Sequence, residues 1–111
     1  MSHHIDLSIP KQVQANAKKG LDLHQQHGFG GTEVGEHMAE QLAAGGSLSA
    51  EEVRHVARYF PRHAHDNLKQ TGEDGGKPSA GYVAWLLWGG DEGRKWSENL
   101  VERLDKQEAD A

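Results

Sequence analysis

The run PSAGYVAWLLWGGDEGRKW at residues 78–96 restricts the possible folds of this chain more than any other stretch. All three Trp (Trp85, Trp88, Trp96) and one of the two Tyr (Tyr82) fall inside it, in a chain that is only 35% hydrophobic. Large aromatic side chains bury the most area and dominate core energetics. Ser79 can cap a helix running to about Trp88. That helix is apolar almost all round, so it needs cover on most faces. Gly89-Gly90 closes it, and Asp91 can cap the next helix, with Trp96, Leu100 and Leu104 on one face. Such a block is usually core. The competing meaning is an exposed binding anchor, since Trp, Tyr and Arg are the enriched hot-spot residues. Tyr82 and Trp88, each near a helix end, are the residues expected to serve that way.

The remaining sequence supplies short helices to pack around this segment. Ser8-Ile9-Pro10 reads as a helix start, with Val13, Ala17, Leu21 and His24 at helical spacing and a break at Gly28–Gly31. Thr32 caps a second helix with Val34, Met38 and Leu42 on one row, ended by Gly45-Gly46. Ser49 and Glu52 form a capping box for the third, with Leu48 stapled against Val53. Its apolar stripe is Val53, Val56, Ala57 and Phe60. Pro61 is expected to stop or kink it, with a further short helix over 62–70. Residues 71–77 (TGEDGGK) form a polar loop. No stretch alternates as a strand does. The expected fold is all-α: four to five short helices joined by glycine-rich turns. The expected organisation is a flexible N-terminus over 1–7, one helical domain over 8–107 and a flexible acidic tail over 108–111.

Composition excludes some functions. At 111 residues the chain is a single small domain with a modest core. It contains no cysteine, so disulfides, thiol catalysis and thiolate metal sites are excluded. No apolar run approaches the length of a membrane span, and no basic start precedes an apolar block, so neither membrane nor signal peptide is expected. The net charge of −5 argues against a dominant phosphate-backbone binder. Much of that charge lies in residues 98–111, leaving the remainder close to neutral and a local basic face open.

The residues then show a resemblance. GGTEVGEHMAEQLAAG, LSAEEVRHVARYFPRH and PSAGYVAWLLWGGDEGRKW together resemble a small domain encoded by tailed bacteriophages and prophages. That domain stands alone or is appended to larger phage proteins such as head-maturation proteases. The likeness spans residues 8–97, and PSAG-x-x-AW-x-x-WGGD-x-G-x-x-W is its most specific part. Family members often read RHE or RHEVDK where this chain has Arg62-His63-Ala64-His65-Asp66. The resemblance implies a phage origin and a place in the host cytoplasm or virion. The family has no established activity, so it supplies no site residues.

Three further groups bear on function. His55, His63 and His65, with Asp66, offer nitrogen and carboxylate ligands, but His63 and His65 stand two apart and share no helix face, so no metal site is expected. Arg54, Arg58 and Arg62 follow i, i+4 and i+8 and form a basic stripe that can meet phosphates if the helix persists. GFGGTEVG lacks the Walker pattern and a preceding strand, so it is not a phosphate cradle. No motif joins Ser79 to a histidine as nucleophile and base. The expectation is a non-enzymatic phage accessory or virion-associated protein without a cofactor. It acts by contact with a phage or host protein, or with a second copy. A nucleic-acid module using the basic stripe is the alternative.

Overall fold

Ser79 accepts a hydrogen bond from the Tyr82 amide and starts an eight-residue apolar helix, around which the molecule is arranged. A computed structural model describes residues 5–73 and 75–110. Among these the chain forms five helices: α1 (Lys11–His27), α2 (Glu33–Ala44), α3 (Ala50–His63), α4 (Ala80–Leu87) and α5 (Gly90–Ala109). The fold is all-helical and strandless in these residues, with one isolated bridge between Ser8 and Ser47. Val83, Trp85, Leu86, Leu87 and Trp88 are all buried, the burial that an apolar helix demands.

The helices pair in a simple way. α1 packs against α2 and α4, and α3 packs against α5. Gly20 sets the approach of α1 to α4, because a Cβ there would stand 2.7 Å from the Leu87 backbone nitrogen. Gly89 and Gly90, at φ 110° and 68°, turn α4 directly into α5. L side chains rarely adopt such φ values. The turn is so tight that Gly89 itself is the N-cap of α5. Asp91, expected as the cap, instead lies inside α5 and accepts a 2.8 Å hydrogen bond from Trp85 Nε1.

Described residues near both ends of the chain contact the fold. Residues 1–4 of the expected flexible N-terminus lie outside the described residues. Ile5 and Leu7 pack against the core. The Leu48 amide donates to the Leu7 carbonyl at 3.2 Å and the Ile9 amide to the Gly46 carbonyl at 2.8 Å. Pro10, not Ser8, is the N-cap of α1. At the other end α5 continues to Ala109, and Glu108, placed by sequence in the tail, accepts from Arg54 at 3.4 Å.

α3 has the capping box read from sequence, with Ser49 Oγ accepting from the Glu52 amide and Glu52 Oε1 from the Ser49 amide. It does not stop at Pro61 but runs through it to His63. Pro61 removes the amide that would reach the Ala57 carbonyl, and α3 continues only two residues beyond it. The further helix expected over 62–70 does not form: residues 62 and 63 end α3, and 64–70 are not helical. The Asn67 side chain accepts from the amides of Lys69 and Gln70, a local turn that competes with helix.

Candidate functional site

Three rows of residues spaced by three or four run along α3. The apolar row Val53, Val56 and Phe60 faces the core. The row Arg54, Arg58 and Arg62 faces outward, and between them lies the row His55, Tyr59 and His63. This middle row carries the aromatic stack beneath the groove described below.

Trp88 enters the middle row from the end of α4. Its ring stacks on Tyr59 with centroids 4.8 Å apart and planes 8° apart, and meets the edge of His55 at 5.0 Å. His63 stacks on Tyr59 at 4.3 Å. Two rings so close to Tyr59 must occupy its opposite faces. The order along α3 is therefore His55, Trp88, Tyr59, His63. Offset or edge-on stacks at these separations are favourable beyond the area they bury. Gly35 of α2 closes the far side, since a Cβ there would lie 3.1 Å from Trp88 Nε1.

A groove of about 470 Å³ opens over this stack, between the start of α2, the second half of α3 and one face of α4. Its floor includes Tyr59, Trp88 and Ala84, and Val34, Arg62 and Asp66 stand at its sides. Val34, expected on the buried row with Met38 and Leu42, is instead 54% exposed. The buried face of α2 is Gly35, Met38, Ala39 and Leu42, which leaves Val34 at its edge beside the groove. His63 Nδ1 lies 2.9 Å from Asp66 Oδ2 and forms an ion pair when protonated. Burial, and then the Asp66 charge, push the Tyr59 phenol above the ordinary tyrosine range, with Arg62 opposing. Tyr59 therefore stays a neutral hydrogen-bond donor at physiological pH.

The structure separates the residues singled out by sequence. Trp88, expected among the exposed members, is only 5% exposed. Its place at a helix end suggested exposure, but the Gly89 turn drops it between α2 and α3. Tyr82 is half-buried and lies outside this groove. Its hydroxyl accepts from Lys19 Nζ at 3.2 Å, and this raises the lysine's pKa. Arg54 is held by Asp105 at 2.6 Å and Glu108 at 3.4 Å, while Arg58 and Arg62 are exposed. His55 and His63 line the groove, and His65 is exposed and does not. Among the described residues no three His, Cys, Asp or Glu side chains are grouped to hold a metal ion. No helix of the described residues is long and apolar enough to cross a membrane.

Sequence reading missed Tyr59. Its spacing of four from both His55 and His63 was the available signal, hidden between the apolar and basic rows of the same helix. No family model, curated protein or solved structure matches the chain.

Proposed function

We propose that this chain is a phage-encoded, non-enzymatic accessory or virion-associated protein that acts by protein–protein contact, with the α2–α3–α4 groove as its contact surface. Its partner is a phage or host protein met in the host cytoplasm or the virion. The observation that carries this reading is Val34, a large hydrophobic side chain left 54% exposed at the side of a groove floored by stacked aromatics. Anchors of an interface sit in such pockets, with Trp, Tyr and Arg the enriched types. The likeness of the PSAG-to-WGGD block to small phage domains supplies the biological setting.

A photo-crosslinking residue placed at Val34 in cells producing the phage tests this. The expected result is one discrete protein adduct from position 34 and none from Glu102, an exposed position on α5. Absence of an adduct at 34, or the same adducts from both positions, overturns it. The nucleic-acid alternative keeps one observation in its favour. α3 runs unbroken through Pro61, so Arg58 and Arg62 lie on one exposed row.

A further inference from the structure

Beneath the groove lies a hydroxyl with nothing to bond. Tyr59 is 4% exposed, and its Oη is buried without a hydrogen-bond partner. Buried polar atoms are almost always paired, and an exception needs a reason. Tyr59 lines the groove together with Arg62 and Asp66, so the ring that carries this hydroxyl is part of the groove as well as of the core. Arg62 is exposed, and its Nε donates to the Arg58 carbonyl at 3.3 Å. Among the described residues its guanidinium forms no ion pair. His55, Arg58 and Arg62 line the adjoining depression. Asp66 opposes this positive edge, but it is already paired with His63. The groove thus holds two donors without a side-chain partner, the Tyr59 hydroxyl and the outer nitrogens of the Arg62 guanidinium, among the described residues.

We infer that the groove takes a carboxylate from an acidic side chain of the partner protein. One oxygen accepts from Tyr59 Oη and the other pairs with the Arg62 guanidinium, while Val34, Ala84 and Trp88 hold the methylene stem. Hydrogen bonds to a charged acceptor are the stronger kind, and a planar guanidinium matches a carboxylate. The hydroxyl is covered in the free protein, so the groove side chains around it move aside when the carboxylate enters. This inference rests on the contact reading above and names the chemistry of the partner.

The test uses the full chain, isotope-labelled, titrated with N-acetyl-glutamate amide, with N-acetyl-glutamine amide and with sodium chloride at matched ionic strength. Saturable chemical-shift changes at the Val34 and Gly81 amides and the Trp88 indole are expected with the glutamate probe, and roughly tenfold weaker binding with the glutamine probe. Tyr59→Phe is expected to melt at or above the parent temperature, since its hydroxyl bonds nothing in the free protein. It is also expected to bind the glutamate probe roughly tenfold less tightly. Equal response to both probes, no response to either, or a Tyr59→Phe variant that melts well below the parent overturns the inference. Shifts that depend on protein concentration without any probe assign the groove to a second copy and also overturn it. A discrete adduct at Val34 with no response to the glutamate probe rejects the carboxylate site and leaves the contact reading standing.

Discussion

Trp85 and Trp96 belong to the same aromatic run but hold different positions. Trp85 is 4% exposed, meets Phe60 edge-on at 4.7 Å and bonds Asp91 through its indole nitrogen. Trp96 is only partly buried against the core. Trp85→Ala is expected to destabilise by about 3–5 kcal/mol, the range for emptying a large buried aromatic site. Trp96→Ala is expected to cost clearly less. Urea unfolding of the two variants checks the order, and equal losses would show that Trp96 is as deeply set as Trp85. The aromatic run was legible as core because its composition left few other places for large side chains. The exposure of individual members was not. Trp88 at a helix end reads as free until the Gly89 turn and the side-chain-free face of Gly35 are known, and both are tertiary facts. Tyr82 was singled out by the same rule, and its half-burial and its bond to Lys19 come from the crossing of α1 and α4.

At the scale of elements, local chemistry gave the clearest signals. The caps at Thr32, Ser49 and Ser79 are where sequence placed them, because each is settled by a side chain and an amide three residues on. Ser49→Ala is therefore expected to cost about 0.5–2 kcal/mol. Glu52 adds a pH dependence. The Ser49 backbone amide, and then the Gln41 side chain, hold its carboxyl below the ordinary value of 4.5. A carboxyl lowered on folding contributes its stability above the unfolded pKa and loses it as pH falls through the folded one. Glu52→Gln should thus narrow the stability gap between pH 7 and pH 3 relative to the parent, measured by urea unfolding at each pH. An unchanged gap would show that the capping carboxylate adds nothing to acid sensitivity. Signals that depend on neighbours were less legible. Pro61 reads as a stop or a kink, yet α3 runs two residues past it, because the packing of the helix outweighs one lost bond. Residues 62–70 read as helix, but Asn67 organises a turn there through its side chain.

Across the whole molecule, charge distinguishes the two functional readings. The basic row was legible as a stripe, but its partners were not, since α5 lies some fifty residues further along the chain. Arg54 bridges α3 to Asp105 and Glu108 on α5, so the acidic end of the chain covers one end of the row. That leaves Arg58 and Arg62 to face a ligand, on a chain of net charge −5. A phosphate backbone is usually met by more cations than this, and each phosphate contact adds about one unit to the salt dependence of binding. The parent protein is expected to show no salt-sensitive binding to DNA or RNA at physiological ionic strength, by fluorescence anisotropy with mixed-sequence probes. Arg54→Ala is expected to change stability little, as ion pairs with exposed carboxylates do, and to leave nucleic-acid affinity negligible. The opposite outcome has its own signature. Submicromolar binding that falls with salt, with the slope reduced by about one unit in Arg58→Ala and again in Arg62→Ala, would replace protein contact with nucleic acid as the ligand of this surface. Arg54→Ala separates the cases further. If its guanidinium stays with Asp105 and Glu108, its loss leaves that slope unchanged, whereas a reduced slope would mean that the ligand draws Arg54 away from α5.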